Sequence, residues 1–524
     1  IQRIEHPEID KLHRVTRNSS GSKYSPPVPG KLFFDDISAK LPLEAVHQEN
    51  EFIDFKREPL LHQKYSEEGP ASASGDVNGD GLDDIYLGGA AGFGGQLLLQ
   101  KPDGRFVAAK TTVFKNDAAY EDVAALFFDA NGDGSKDLVV ISGGNEQSLD
   151  NPIYQSRLYL NNGKGDFTKS ANGLPQQFSS GGCVAAADID GDGDLDLFMG
   201  ARISPGKYPL PPYSKLLRND KGKFTDMTAE WSEGLTQIGM LTDAKFADLD
   251  NDGSPELVLA GEWIPVSIFK KVNNKYINAT TEFGIADLTG WWYAIEIADI
   301  NKDGFPDIVA GNLGLNSHIQ VSKEKPANLY YKDFDKNGTI DPVLCFFNGE
   351  TSYPLQYRDR VLDQMIFLKK KFTRYQTFAN ATIEDLFTPD QLKEVNVLSA
   401  NTFTHTLFMS QGGKRFQAQS LPRYTQQSCV RSIKAIDVNL DGNLDLVIGG
   451  NFYGTDAQFG RYDASVGAVL IGDGQGHFQV VGPAETGLSI PGNVRSIIPL
   501  KSASGTSIFI ARNNDRSSLF LMKK

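Results

Sequence analysis

A nine-residue frame recurs seven times in this sequence, always with Asp, Asn or Glu at positions 1, 3, 5 and 9 and always with glycine at position 6. The copies are DVNGDGLDD from Asp76, DANGDGSKD from Asp129, DIDGDGDLD from Asp188, DLDNDGSPE from Asp248, DINKDGFPD from Asp299, DFDKNGTID from Asp333 and DVNLDGNLD from Asp437. So many carboxylates in so few residues repel one another unless a cation offsets their charge.

The spacing points to calcium, a hard cation that takes six to eight oxygens. A tight loop turns side chains 1, 3 and 5 inward, offers the main-chain carbonyl of position 7 and closes the shell with the carboxylate at 9, while glycine at 6 makes the sharp turn. The expected ligands are Asp76, Asn78, Asp80, Leu82 and Asp84 in the first frame, and Asp129, Asn131, Asp133, Ser135 and Asp137 in the second. They continue as Asp188, Asp190, Asp192, Asp194 and Asp196, then Asp248, Asp250, Asp252, Ser254 and Glu256, then Asp299, Asn301, Asp303, Phe305 and Asp307. Asp333, Asp335, Asn337, Thr339 and Asp341 form the sixth set, and Asp437, Asn439, Asp441, Asn443 and Asp445 the seventh. Magnesium wants fewer protein ligands and more water, and zinc is excluded because no frame holds Cys or His. An EF-hand needs Glu at position 12 and flanking helices. Here position 12 is apolar, as at Leu87, Val140, Met199, Leu259 and Ala310, and the flanks ("ALFF", "LVVI") are β-rich.

The first five frames start 53, 59, 60 and 51 residues apart. Behind each comes an apolar strand ending in small residues ("YLGGA", "FMGAR", "IVAGN"), then a hairpin signal such as "RLYLNNGKGDF" or "VLIGDGQGHF". Strand A, metal loop, strand B, long loop, strand C, tight turn and strand D make one blade of a propeller. Six frames head blades. The C-terminal strands "VRSIIPL", "SIFIARN" and "SSLFLM" lack a frame, and the N-terminal "GKLFFDDIS" (30–38) resembles a strand D. The expected fold is therefore an all-β, seven-bladed β-propeller whose last blade is closed by an N-terminal strand. The frame at Asp333 follows its predecessor by only 34 residues and precedes the next by 104, so 320–400 reads as an insertion in blade 5 with its own calcium loop. Leu362, Met365, Ile366, Phe372 and Tyr375 have helical spacing within it. The domain reading is a linker over 1–29 from an upstream region, the closing strand and blades 1–5 over 30–319, the insertion over 320–400, and the end of blade 5 with blades 6 and 7 over 401–524.

A net charge of −14 argues against nucleic acid as a partner. No apolar run approaches the roughly 18 residues of a membrane span. The three cysteines permit at most one bridge and leave the compartment open.

The frames, with the "GGA", "GAR" and "AGN" triplets behind them, resemble the FG-GAP/VCBS repeat proteins, whose propellers include the integrin α-chain head, over about 71–524. "HQENEFIDFKREPLL", "EGPASASGDVNGDGLDD" and "GRYDAS" are similar to the large VCBS proteins of Bacteroidota related to cartilage acidic protein. That resemblance implies an exported, often lipid-anchored protein. The ASPIC/UnbV domain common in those proteins is not found here, so no role attached to it carries over.

Antiparallel blades put the metal loops on one face and the B–C and D–A loops on the other. On that second face the sequence offers Asn145, Arg202, Glu262, Trp263, Trp292, Asn312, Asn451, Arg461 and Tyr462, a polar and aromatic set suited to a glycan or protein ligand. A structural role is the alternative, with the polar groups satisfying backbone around the channel and the tryptophans wedged between blades. No HExxH helix or GxSxG elbow is present and the histidines show no ligand spacing, so no enzyme is expected. Glu262 and Arg461 would be the first suspects of a propeller hydrolase or lyase. The expected function is a calcium-stabilised extracellular or cell-surface binding and adhesion module with up to seven Ca²⁺ sites. Two alternatives stand beside it, a structural subunit of an outer-membrane or surface assembly docking through the insertion, and the propeller enzyme.

Overall fold

Each frame joins two antiparallel strands, because its apolar flanks alternate into a sheet while its glycines reverse the chain. The computed structural model describes residues 32–176, 179–503 and 505–523. The linker expected over 1–29 lies outside them.

Strands Ser72–Gly75, Asp84–Leu87, Gln96–Gln100 and Phe106–Ala108 form blade 1 in simple up-and-down order. Blades 2, 3, 4 and 6 repeat this order over 122–169, 180–226, 240–278 and 430–481; blade 4 gains a short fifth strand, Gly290–Trp291. Blade 7 is built from Val494–Ser502, Gly505–Arg512 and Ser518–Met522, and its outer strand is Phe34–Asp36, paired antiparallel with Phe34 opposite Met522. Every strand A packs against strand A of the next blade, and Val494–Ser502 meets Ser72–Gly75 to complete the circle. Seven blades and the N-terminal closing strand are present.

Burial follows the ring. One apolar cluster lies between each adjacent pair of blades. Tyr86, Phe127 and Tyr159 help fill the wedge between blades 1 and 2, and Phe34, Val447, Ile508 and Phe520 that between 6 and 7. Strand B is buried along its whole length in blades 1, 2, 3, 5 and 6, and in blades 4 and 7 everywhere but at Ile264 and at Gly505 and Thr506, since both its faces meet a neighbour.

Blade 5 (Ala294–Ala298, Asp307–Gly311, Thr406–Ser410, Phe416–Ser420) is interrupted between its second and third strands. The intervening chain forms an eighth four-stranded sheet in the order Thr351–Pro354, Asp341–Asn348, Ala327–Lys332, Asn396–Ala400. The frame at Asp333 joins its two central strands. Helical spacing over 358–387 yields a broken series, Arg358–Gln364, a 3₁₀ turn over Ile366–Lys370, Tyr375–Ala379 and Ile383–Leu386. Because the helix stops at Gln364, its register is lost. Leu362, Met365 and Phe372 reach the insertion's core, whereas Ile366 and Tyr375 face solvent.

Residues 41–70 run across the face opposite the frames. Val46 bridges to Arg516, Gln63 bridges to Thr455, and the Gln356 side chain donates to the Leu60 carbonyl (2.8 Å). Phe55, Leu61 and Tyr65 share a core with Trp263 and Trp291 of the ring and Leu329 and Leu344 of the insertion. Segment and insertion thus cap that face together.

Candidate functional site

In the first frame Asp76 accepts backbone N–H groups from Gly79 and Gly81, both at 2.7 Å, Asn78 Oδ1 accepts from Asp80 (3.0 Å) and Asp80 Oδ1 from Leu82 (3.0 Å). Each side chain thereby folds the loop inward two to five residues ahead of itself. The turn needs two left-handed residues, position 4 and position 6. Position 6 is glycine with φ between +82° and +94° in all seven copies. Position 4 is Gly79, Gly132, Gly191, Asn251, Lys302, Lys336 or Leu440, each also at positive φ.

Position 2 is apolar and buried in every copy (Val77, Ala130, Ile189, Leu249, Ile300, Phe334, Val438), which pins the loop to a core. Position 9 is fully buried. Asp84 Oδ2 accepts from the Val77 amide (3.2 Å) and Oδ1 from the Gln100 amide (2.8 Å) on strand C. The same double acceptance recurs at Asp137, Asp196, Asp307 and Asp445. The carboxylate that ends the frame therefore ties three strands together. Burial, followed at a distance by the neighbouring frame carboxylates, raises these acids. Asp84 and Glu256 rise to about 7, and Asp196, Asp307 and Asp341 to about 6.

The carboxylates gather tightly in three frames. Asp188, Asp190 and Asp192 bring ligand atoms within 4.8 Å of one another, as do Asp248, Asp250 and Glu256, and Asp333, Asp335 and Asp341. In the other four, position 3 is Asn, and the amides of Asn131, Asn301 and Asn439 donate to the acid two residues on. Frame four fits a cation best. Glu256 Oε1 and Asp250 Oδ1 are buried without a partner, although the Lys270 ammonium on Asp250 and Asp252 competes with a cation for these carboxylates. A calcium ion there would be held by Asp248, Asp250, Asp252 and Glu256 with the Ser254 carbonyl.

The opposite face differs from the sequence expectation. Asn145, Arg202, Glu262, Trp263, Trp292, Asn312 and Asn451 are all buried rather than displayed to a ligand. Asn312 accepts the amides of Trp291 (3.1 Å) and Leu313 (2.8 Å) and donates to the Thr402 carbonyl (3.0 Å), and Asn451 closes the loop around Ser465 in the same way. Asn145 donates to Asp54 and Glu58 in the capping segment. Trp292 is wedged between blades 4 and 5, and Trp263, at φ +67°, donates its indole N–H to Tyr208 (3.2 Å). Glu262 accepts from Arg202 (2.5 Å), Gln63 (2.6 Å) and Tyr65 (2.8 Å). Burial would raise its carboxyl, but Arg202 and His62 outweigh burial and hold it below the usual range. Exposed Arg461, stacked on Tyr453, and half-buried Tyr462 stay near the surface. Asn145, Arg202 and Glu262 serve the cap, whose segment carries no frame and left no periodic signal, while Asn312 and Asn451 fasten loops of the ring.

One large cleft does open on this side, between the insertion and the blade 6 loop, with a volume of about 1010 Å³. Tyr353, Tyr357, Tyr375 and Phe378 line it beside Arg358, Asp359 and Arg360. Buried Gln356 Oε1 and Gln458 Nε2 have no hydrogen-bond partner, and Asp456, 2% exposed, meets Arg360 only at 3.4 Å.

Residues 76–140, 129–199 and 248–310 match the family described as FG-GAP-like repeat. Those stretches are similar to FG-GAP-like repeats. Among solved structures it is similar to the V. cholerae biofilm matrix protein Bap1, at 11% identity over 94% of this chain and 92% of that one, with a TM-score of 0.40. It is similar also to YCF48 in a structure titled "YCF48 bound to D1 peptide", at 9% identity over 88% of this chain and 96% of that one, again with a TM-score of 0.40. Among the described residues no helix is long and apolar enough to cross a membrane.

Proposed function

We propose that this chain is a calcium-stabilised, non-catalytic binding module that takes a glycan in the cleft between its insertion and blade 6. The cleft carries the reading. Tyr357 and Tyr375 are 61% and 65% exposed, so aromatic faces stand in water at its rim, and the unpartnered amide atoms of Gln356 and Gln458 wait behind them. Sugars are recognised by that pairing of ring faces with fixed hydrogen-bonding groups. The insertion leaves and rejoins blade 5 on the side away from the frames, so the ligand face stays opposite the calcium loops even though the ring's own candidates lie under the cap. Calcium in up to seven loops holds the scaffold. Their exposed fifth side chains suit the weak end of the affinity range, which extracellular calcium fills; an extracellular or cell-surface location follows. Of the two enzyme suspects, Glu262 is consumed by Arg202, Tyr65 and Gln63, and Arg461 stands alone on Tyr453.

Exposed Ile366 (65%) and Phe367 (38%) beside Tyr375 favour a second reading, docking of the insertion on a protein partner in a surface assembly. Affinity electrophoresis against a polysaccharide panel, with Tyr357→Ala/Tyr375→Ala and Ile366→Ser/Phe367→Ser variants, separates the two. The glycan reading expects retardation that the tyrosine variant loses by at least about tenfold. Retardation by no polysaccharide, or equal retardation of the tyrosine variant, defeats it, and turnover of the polysaccharide would restore an enzyme.

A further inference from the structure

The propeller channel ends in a chamber whose charge is not balanced by the protein. Arg202 from strand B of blade 3, Arg431 at the start of strand A in blade 6 and Arg495 at the start of strand A in blade 7 converge there, with their side chains buried. They line a cavity of about 90 Å³ together with Glu68 and Pro70 of the capping segment, Thr242 and Tyr293. Glu68 pairs with all three arginines, at 3.3, 2.9 and 3.4 Å, and Glu262 pairs with Arg202. Three guanidinium groups thus meet two directly paired carboxylates; Glu49 also acts on Arg495, but burial raises its carboxyl to about 8, so at neutral pH it is largely uncharged and one buried positive charge is left over. An isolated buried charge costs several kcal/mol unless it is paired.

The hydrogen-bond inventory is unbalanced in the same sense. Nε and Nη1 of Arg202, Nε and Nη2 of Arg431 and Nε of Arg495 have no acceptor. The ring contacts of these arginines, over Tyr65, Tyr293 and Phe452, occupy the flat faces of the guanidinium groups and leave the in-plane N–H edges free. The chamber is continuous with the central channel, a space of about 660 Å³ that shares Pro70, Thr242, Arg431 and Arg495 with it and runs along strands A to Phe128, Lys136 and Phe246 beside the frames. Lys245 and Lys434 stand on that wall, bonded to Glu296. The wall along this route thus carries Lys136, Lys245 and Lys434 beside the acids Asp243 and Glu296.

We propose that this chamber is a binding site for a small carboxylate that enters along the channel from the frame face. The single excess charge selects a monoanion, since a phosphate dianion would reverse the imbalance. The in-plane N–H edges of arginine match the two oxygens of a carboxylate, and the space admits one such head group rather than a sugar ring. A free metabolite and the acidic end group of a longer chain share this chemistry. The site is independent of the insertion cleft.

The test is ¹⁹F NMR of fluoroacetate with the whole chain at constant ionic strength. Saturable line broadening is expected, displaced by acetate, weakened at least tenfold in Arg431→Gln and Arg495→Gln and unchanged in Tyr375→Ala. Competition by glucuronate as strong as by acetate identifies chain-end carboxylates as ligands, and its failure identifies free small acids. Should the arginine variants not fold, crystals soaked in bromoacetate decide, with an anomalous bromine peak expected within hydrogen-bonding reach of Arg431 and Arg495. Non-saturable broadening, equal displacement by chloride, or a chamber holding only water overturns the proposal.

Discussion

Position 4 of the frame shows how much strain a single residue stores for the loop. Leu440 lies at φ +62° and is 59% exposed, so a branched apolar side chain occupies the left-handed region with little packing in return. The left-handed region costs an ordinary residue about 1–2 kcal/mol, and three of the seven frames place glycine there instead. Leu440→Gly is expected to stabilise the protein by about 1 kcal/mol in denaturant titration, after allowance for the entropy glycine gains in the unfolded chain. An unchanged midpoint would mean that the strain is relieved elsewhere in the loop. Lys270 poses the opposite question. Its ammonium already neutralises part of frame four, so it repels an incoming dication, and Lys270→Met should tighten one calcium site by about tenfold in isothermal titration.

At the scale of elements, the ring depends on a short strand far from its partners in sequence. Phe34–Asp36 covers the outer edge of blade 7, and Phe34 is 1% exposed against Phe520 and Ile508. Phe34→Ala is expected to cost about 3–5 kcal/mol, the usual penalty for emptying a buried aromatic site, with early loss of amide protection along Ser518–Met522 in hydrogen exchange. This closing strand was legible in the sequence because it repeats the apolar pattern of the other outer strands, as were the blades, because each frame carries its own local hydrogen bonds and announces the strands on either side. The eighth sheet was half legible: the frame at Asp333 marks its two central strands, while Thr351–Pro354 and Asn396–Ala400 carry no such mark and are defined only by pairing across the insertion. Helices do occupy much of 358–387, as its spacing implies, but as a broken series. Periodicity sees the apolar spacing but not the stop at Gln364, beyond which Ile366 and Tyr375 turn outward. Arg202, Glu262 and Asn145 were read as candidates for a ligand face, but their partners Gln63, Tyr65, Glu68 and Asp54 lie at least 91 residues away in a segment without a pattern, so burial under the cap had no sequence signature.

On the scale of the whole molecule, calcium bound in the frames would make stability a joint function of calcium and pH. Without the ion the ninth-position acids are buried and close to other carboxylates, and Asp84, Asp196, Glu256, Asp307 and Asp341 titrate near 6 to 7 instead of near 4. A folded-state value raised above the unfolded one means that the native protein binds more protons between those two values. The metal-free fold is then favoured below about pH 4, and that advantage is lost as pH rises through 6 and 7, where the carboxylates ionise against one another. Calcium reverses the slope, since it needs the ionised ligands and releases their protons on binding. Scanning calorimetry in a chelator should give a melting temperature that falls from pH 5 to pH 8. In millimolar calcium the melting temperature should hold or rise over the same interval, so the gap between the two curves widens with pH. Strand A of each blade leans on the next, and a loop that opens in one blade loosens both adjoining wedges; the loss is therefore expected as a single cooperative transition. Superimposable profiles with and without calcium would show that the backbone hydrogen bonds of the frames suffice and that the carboxylates serve the fold without an ion.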